Sequence, residues 1–280
     1  MQKFAEYIEK IEIKSLWNGH KHVVWHLQPG VNVLSGKNGA GKSTIINRLV
    51  QHLLSIPPTG EIRRRELPQG ALFGVQVDFS PRDATTIRYD VIRSIDRQML
   101  QSERLTTLAE GAVATELDWQ LYQLQRRYLD YQVNIGNRMI QLLTGGDPSA
   151  REQATAAAAM KTKFQDLVDD LFSETGKRID RQSNELRFFQ YDEAITPYVL
   201  SSGEKQILII LLTVLTEDLQ PYVLLMDEPE VSLHFDWQKR LIDMIRQLNP
   251  RVQIILTTHS PAVIMDGWAD CVTEVSEIAR

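Results

Sequence analysis

The chain comprises 280 residues, of which 43% are hydrophobic and 24% charged, and its formal net charge is −5. This composition is typical of a soluble globular protein with a sizeable core, and it neither requires nor excludes a nucleic-acid partner. The longest apolar run, at residues 207–215, is about half of the roughly 20 residues that a membrane span needs. A single cysteine, Cys271, excludes an internal disulfide, so we expect a cytoplasmic protein without a membrane span.

Short β-branched segments and one helix open the chain. Residues 11–36 have the alternating pattern of strands, and residues 43–54 have the apolar spacing of a helix that stops at Pro57. Residues 70–80 and 85–95 predict two further strands, which we expect to form a hairpin. A strand, a glycine-rich turn and a helix therefore follow one another near the N-terminus.

Two long helices are predicted in the middle of the chain. Apolar residues step by four and three from Leu117 to Leu142, which is the rhythm of a helix seam. Glycine and proline at residues 145–148 break this seam, and a second helix follows with Asp147 as N-cap and an end near Gly176. The two helices predict an αα hairpin, which either packs as a helical subdomain or projects as an arm.

The hairpin divides the predicted fold into an N-terminal lobe at residues 1–96, the insert at 97–183 and a C-terminal lobe at 184–280. In the C-terminal lobe, residues 222–226 and 252–258 have the continuous apolar character of buried parallel strands. A polar turn follows each of them. Open α/β sheets place ligand chemistry at such carboxyl ends.

A glycine-rich turn with the pattern G-x-x-x-x-G-K-[ST] lies between a predicted strand and a predicted helix, as a phosphate-binding loop requires. Its glycines let backbone N–H groups wrap the phosphates of a nucleotide. Lys42 would reach the β- and γ-phosphates, and Ser43 would offer its hydroxyl to Mg²⁺. We expect the whole turn to contact the nucleotide, namely Gly36, Lys37, Asn38, Gly39, Ala40, Gly41, Lys42, Ser43 and Thr44.

Three polar side chains follow the two buried strands of the C-terminal lobe. Asp227 would hold Mg²⁺, and Glu228 would polarise the attacking water as general base. A neutral His259 could hydrogen-bond the γ-phosphate or that water. Solvated turns and a structural histidine are the alternatives, and the phosphate loop argues against them. We therefore predict Lys42, Glu228 and His259 as catalytic residues, with Ser43 and Asp227 as metal ligands.

A Ser-Ser-Gly turn with a Glu-Lys pair, at residues 200–206, opens one of the most apolar helices of the chain. Such a small, donor-rich helix N-terminus is suited to a phosphate. Taken alone, however, the pattern favours an ordinary capped helix start.

Together these motifs resemble those of the ABC-type ATPase heads, and within them the SMC, RecF and OLD-like group. The resemblance covers residues 1–60 and 185–280, and it implies an α/β fold: a P-loop NTPase head with a mixed sheet, an antiparallel β subdomain and an inserted helical hairpin. The matching segments are the phosphate loop at 36–44, the signature at 200–206, the acidic strand at 224–228, the D-loop at 230–234 and the switch histidine His259.

The signature departs from the commonest form at Ser202 and Glu204, and its Glu-Lys pair is SMC-like. A histidine at the end of the D-loop is similar to that of OLD-type defence ATPases. Three residues compete for the position of the family's Q-loop glutamine: Gln76, Gln98 and Gln101.

The resemblance implies hydrolysis of ATP to ADP and phosphate, with ATP and Mg²⁺ bound, in a homodimer or higher homo-oligomer with composite ATP sites. In such heads the signature helix points at the γ-phosphate of a second head. The resemblance therefore implies nucleotide contacts from Ser201, Ser202, Gly203 and Glu204, with Ser201 and Gly203 donating to that phosphate. The resemblance further implies a role in DNA maintenance or antiphage defence, with a separate effector chain such as a Toprim-type nuclease. Nucleic acid is a further candidate partner. The alternatives are the ATP-binding subunit of a membrane ABC transporter, which the apolar signature helix disfavours, and a non-hydrolysing module, which Glu228 disfavours.

Overall fold

The computed structural model describes residues 3–55, 74–93, 113–145 and 149–280. Its centre is a five-stranded parallel sheet, whose strands in spatial order are β11 (Val272–Glu274), β3 (Val31–Ser35), β10 (Val252–Thr257), β9 (Tyr222–Asp227) and β5 (Tyr89–Arg93). All six residues of β10 are buried, because helices or a second sheet cover both faces of the sheet.

Two smaller sheets are antiparallel. One contains β2 (Lys21–His26), β1 (Tyr7–Leu16) and β4 (Val75–Ser80), and the other contains β6 (Lys177–Ile179), β7 (Phe188–Gln190) and β8 (Glu193–Ile195). The helices are α1 (Lys42–Ser55), α2 (Glu116–Thr144), α3 (Ala150–Phe172), α4 (Ser202–Thr216), α5 (Phe235–Leu248) and α6 (Val275–Ile278). Among the described residues, no helix combines the length and apolar character that crossing a membrane requires.

Each face of the parallel sheet contributes to its own core, as the alternation along β9 illustrates. Val223 and Leu225 pack into a core shared with β1, β2 and α1. Leu224 and Met226 pack into a second core shared with α2, α3, α4 and α5. The chain is therefore layered, with an antiparallel β subdomain and α1 on one face and the longer helices on the other.

The predicted hairpin around residues 81–84 is wrong. β4 pairs with β1 in the antiparallel sheet, whereas β5 pairs with β9 in the parallel one. The connection after β4 runs beside the N-terminal segment, where the N–H of Ala5 donates to the carbonyl of Thr86 at 2.7 Å. This path brings β5 into the central sheet, where Ile92 is buried.

The helical hairpin packs at its base and is exposed toward its tip. The predicted seam is buried against the main core, through Leu117, Leu121, Leu124, Tyr128, Tyr131 and Ile135. Further along α2, Ile140 and Leu143 are 61% and 59% exposed. The predicted N-cap Asp147 lies outside the described residues, whereas the predicted end of α3 near Gly176 is confirmed by a left-handed glycine there. The boundaries of the insert at 97 and 183 stay predictions.

Candidate active site

The phosphate loop, the acidic turn and the switch histidine meet at one edge of the parallel sheet. β3, β10 and β9 are neighbours and run in the same direction, with Thr257 opposite both Leu34 and Asp227. The carboxyl ends of these strands therefore lie side by side. Each one leads directly into a segment that the sequence predicted to carry chemistry.

Lys42 opens α1 and turns back over the phosphate loop. Its ammonium donates to the carbonyl oxygens of Gly36 and Lys37, at 3.0 and 3.5 Å, and lies 2.6 Å from Nε2 of His259. Only 4% of the residue is exposed. A buried ammonium held by neutral acceptors is costly unless it serves a ligand, since no carboxylate is among these partners.

Ser43 and Asp227 are in direct contact, with the hydroxyl donating to Oδ1 at 3.0 Å. Thr257 donates to the same oxygen at 2.5 Å. Magnesium favours oxygen ligands and is usually held by one or two carboxylates together with substrate phosphates and water. The hydroxyl and carboxylate brought together here fit that donor set, and within the described ranges no cluster of three or more His, Cys, Asp or Glu residues offers a denser one.

Glu228 adopts a left-handed backbone with φ of 49°. Its N–H donates to the carbonyl and the hydroxyl of Thr257, at 3.1 and 3.0 Å, which holds the strained turn. Non-glycine residues in this region of backbone space cost about 1–3 kcal/mol and concentrate at functional sites.

The imidazole of His259 lies between a cation and an anion. Its Nε2 is 2.6 Å from the Lys42 ammonium and 3.0 Å from Oε1 of Glu228. Nε2 can accept from Lys42 or donate to Glu228, but it cannot do both at once. The side chains of His259 and Glu228 are each about one third exposed, at 38% and 34%. A small polar group can therefore reach His259 and Glu228 from solvent, whereas Lys42 is covered.

The loop also contains an aromatic contact that the sequence did not predict. Gly41 has φ of 100°, and a Cβ at this position would lie 2.4 Å from the ring of Trp17. Trp17 sits on the turn between β1 and β2 and is 40% exposed. Glycine is required at position 41 both by its backbone conformation and by this close packing.

The signature turn is capped within its own chain. The Ser201 hydroxyl accepts from the N–H of Glu204 at 3.3 Å, and the N–H of Ser201 donates to Oε2 of Glu204 at 2.9 Å. Oε1 of Glu204 accepts from Lys177 and Thr175, both at 2.9 Å. Burial alone would raise the pKa of Glu204, but these hydrogen bonds outweigh it and hold the pKa below its usual value.

Lys205, the second charged residue of the turn, is also engaged inside the protein. It lies 2.8 Å from Oδ1 of Asp118, which is buried in the first turn of α2. Burial opposes ionisation of Asp118, yet the lysine and two backbone N–H groups lower its pKa. Of the four predicted nucleotide contacts here, Ser201 and Ser202 are exposed at the surface, whereas Glu204 is turned inward.

Two residues at the sheet edge were not among the predicted site residues. Thr257 bonds both Asp227 and Glu228, and the carboxylate of Glu230 accepts from the segment around His259. A hydroxyl at the end of a buried strand was the available signal for Thr257. Of the Q-loop candidates, Gln76 lies on β4 and bonds Asp78, while Gln98 and Gln101 lie outside the described residues.

A family model described as "AAA domain, putative AbiEii toxin, Type IV TA system" matches residues 101–266, which is more than half of the chain. The "Retron Vc95 probable ATPase" of Vibrio cholerae serotype O1 biovar El Tor is 26% identical over 133 residues, covering 46% of this chain and 26% of that protein. The "Septu protein PtuA" of Bacillus thuringiensis is 43% identical over 42 residues, covering 15% of this chain and 11% of that protein. The matches therefore span only the smaller part of either relative's length.

Solved structures of SMC heads share the fold. An SMC head bound to the C-terminal winged-helix domain of ScpA is superimposable with a TM-score of 0.53 and 18% identity, covering 93% of this chain and 91% of that one. An SMC head from Pyrococcus furiosus, with an extended coiled coil, gives a TM-score of 0.50 and 13% identity, at 93% and 91% coverage. The predicted fold of a P-loop ATPase head and its resemblance to the SMC group are confirmed.

Proposed function

Since the chain belongs to the AAA domain family described as "putative AbiEii toxin, Type IV TA system", we propose that it binds Mg-ATP at the carboxyl edge of β3, β10 and β9 and hydrolyses it to ADP and phosphate. One observation carries this proposal. Lys42, Glu228 and His259 come from three separate segments of the chain, and Nε2 of His259 lies 2.6 Å from the Lys42 ammonium and 3.0 Å from the Glu228 carboxylate. Such convergence of a cation, an acid and an imidazole is typical of catalytic sites.

The phosphate loop provides the binding half of the site. On ATP binding, the Lys42 ammonium exchanges the loop carbonyls for the β- and γ-phosphates, which are stronger partners because they are charged. Ser43 and Asp227 would hold Mg²⁺, whose charge, when bound, offsets that of the phosphates. Asp227 is kept in place by the hydroxyl of Thr257 at 2.5 Å.

The acidic turn provides the chemical half. Glu228 accepts a proton from the attacking water as the water oxygen bonds to the γ-phosphorus and the bond to the leaving ADP oxygen breaks. His259, next to Glu228 and Lys42, holds the water or a γ-phosphate oxygen by a hydrogen bond. The side chain of Glu228 is 34% exposed, so the attacking water can reach it.

We propose further that two copies pair head to tail, as a homodimer or within a higher homo-oligomer, so that each signature turn completes the site of the other copy. Support comes from apolar side chains left exposed beside that turn and the neighbouring D-loop: Val199, Val231 and Phe235 are 65%, 69% and 53% exposed. The backbone N–H groups at the start of α4 favour an anion at that position.

We propose that this ATPase cycle controls a separate effector protein, such as a nuclease, in antiphage defence or DNA maintenance. The retron and Septu relatives support the defence reading. The alternative of a membrane transporter subunit gains no support from the relatives and structures described above.

The test is Glu228→Gln, which keeps the shape of the side chain but removes the base. We expect ATP to bind while turnover falls by about 10²-fold or more. Dimers should accumulate with ATP in size-exclusion chromatography coupled to light scattering. Glu193→Gln, an exposed acid on β8, is the matched control and should leave turnover unchanged. A Glu228→Gln protein that turns over ATP at the wild-type rate would contradict the assignment.

A further inference from the structure

The carboxylate of Glu230 lies behind the switch loop, which comprises residues 258–260. Its Oε1 accepts from the Thr258 hydroxyl in a short hydrogen bond, and from the backbone N–H groups of His259 and Ser260 at 3.0 and 3.3 Å. Glu230 is buried, with 6% of its surface exposed. One oxygen atom therefore holds the Thr258 side chain and the backbone N–H groups of His259 and Ser260.

Holding the loop in this way lowers the stability of the fold. All three donors converge on Oε1, while Oε2 is buried and has no hydrogen-bond partner among the residues that the structure describes. A buried acid with half of its acceptor capacity unused costs stability relative to an apolar side chain. Such costs are typically retained where they serve function.

The D-loop that carries Glu230 is itself fixed to the switch loop by a second link. Gln238, in the first turn of α5, donates to the carbonyl of Leu233 at 2.9 Å and accepts from the Ser260 hydroxyl at 2.6 Å. Displacement of the D-loop would therefore be passed to the switch loop through two side chains.

The other side of the D-loop touches the signature turn. A Cβ added to Gly203 would lie 2.5 Å from the carbonyl oxygen of Ser232, so the two backbones are in direct contact. The D-loop thus lies between the signature turn and the switch loop. Packed backbones transmit small displacements because neither can yield without a steric clash.

We propose that Glu230 is a positioning residue that orients the His259 ring toward Lys42 and Glu228, and that it links the signature turn to the switch loop. The consequence for turnover rests on the proposed ATPase function. Glu230 touches none of the catalytic side chains; it acts through the backbone of His259. A change at the signature turn would then alter the orientation of His259 in the same chain.

Three variants separate this role from general stability. Glu230→Ala removes the acceptor of all three bonds, and we expect kcat to fall by about 10- to 100-fold, as for other small displacements of catalytic groups. The KM for ATP should change by less than about threefold, because Glu230 does not contact the phosphate loop. Glu230→Gln keeps an acceptor oxygen and should restore most of kcat. Thr258→Val removes one donor of the three, together with an acceptor of the Ser260 N–H at 2.9 Å, and should give an intermediate loss.

A second readout needs no ATP. Nitrogen-15 NMR of the nucleotide-free protein reports the environment of the His259 ring, and its signals are assigned by their loss in His259→Gln. We expect these signals to match in the wild type and Glu230→Gln, and to move toward those of an exposed histidine in Glu230→Ala. Thr258→Val should lie between them, and it replaces Glu230→Ala in the comparison if that variant does not fold.

If the His259 ring signals of Glu230→Ala, or of Thr258→Val in its place, are the same as in the wild type, the proposal is overturned. Equal losses of kcat in Glu230→Ala and Glu230→Gln with identical ring signals would also overturn it. If the wild type does not hydrolyse ATP, the proposed function fails, and the ring signals alone decide the role of Glu230.

Discussion

The phosphate-loop edge and the signature turn use their charged residues in opposite ways. At the sheet edge, Lys42, Glu228 and His259 face one another at a partly exposed site. At the signature turn, Glu204 and Lys205 point into the protein and pair with buried partners. Both motifs were predicted to contact the nucleotide, yet their charges have different environments.

The partners of the Glu-Lys pair explain this difference. Glu204 bonds Thr175 and Lys177, which follow α3, whereas Lys205 pairs with Asp118 at the start of α2. Two adjacent residues therefore fix both ends of the helical hairpin to the first turn of α4. The signature turn presents its serines and backbone N–H groups outward, and its charges connect it to the hairpin.

Lys42→Ala should have the largest effect on the first region. The phosphates lose the ammonium of the loop, so we expect ATP affinity to fall by about 100-fold or more, since a hydrogen-bonded charge pair removed from one side costs about 3–5 kcal/mol. Isothermal calorimetry measures this loss directly. Lys37→Ala, at an exposed lysine of the same loop, should change affinity by only a few-fold. Equal affinity in Lys42→Ala and the wild type would contradict the assignment of the loop.

Glu204→Ala tests the second region, where a structural effect is expected. The side chains of Lys177 and Glu204 are 11% and 4% exposed, so the variant leaves the buried ammonium of Lys177 without its carboxylate partner. Breaking such a pair costs about 3–5 kcal/mol of unfolding free energy. Urea denaturation measures the loss, and calorimetry should show ATP affinity close to that of the wild type.

The double variant Glu204→Leu with Lys177→Met is the control. Replacing both charges by apolar groups should recover most of the lost stability, because no unpaired charge remains. A single variant that unfolds at the wild-type urea concentration would show that the pair does not anchor the hairpin.

A smaller effect is expected at a third ionic cluster, at the base of the hairpin. Arg127 on α2 bonds Asp90 on β5 at 2.9 Å and Glu217 after α4 at 2.5 Å. Burial and the nearby Asp90 charge raise the pKa of Glu217 to about 7, against the opposing effect of Arg127. The folded state then binds more protons than the unfolded state between the ordinary pKa of 4.5 and about 7.

The contribution of Glu217 to stability is therefore present below pH 4.5 and is lost as the pH rises through about 7. Glu217→Gln stays neutral at every pH, so the wild type should lose stability relative to this variant between pH 5 and pH 8. Urea unfolding of both proteins at the two pH values measures the difference. A difference that is the same at both values would contradict the raised pKa.

Sequence patterns predicted which segments meet at the sheet edge, because the spacing within each segment is local. The phosphate loop and the acidic turn each follow one strand, and parallel strands bring their carboxyl ends together. The interior role of Glu204 could not be predicted, because its partner Lys177 lies 27 positions away in a segment without a recognisable motif. The predicted β4 and β5 hairpin is wrong for a related reason. The two strands are adjacent in sequence, but each pairs with a strand far from it in the chain.

The most direct test asks whether the outward half of the signature turn serves the site of a second copy. Ser201→Arg places a bulky cation on the turn, and Lys42→Ala damages the phosphate loop. Each variant alone should be inactive, because every composite site in a two-fold pair carries one damaged half. Ser201→Ala controls for the lost N-cap, which costs about 1 kcal/mol.

Mixing the two inactive variants should restore activity. With random exchange about half of the dimers are mixed, and each has one intact site, so about a quarter of the wild-type ATPase rate should return. Native mass spectrometry verifies that mixed dimers form. Mixed dimers that form with ATP but show no activity would mean that both sites must act together. Loss of ATP-driven association together with activity would contradict a signature turn that acts on the second copy.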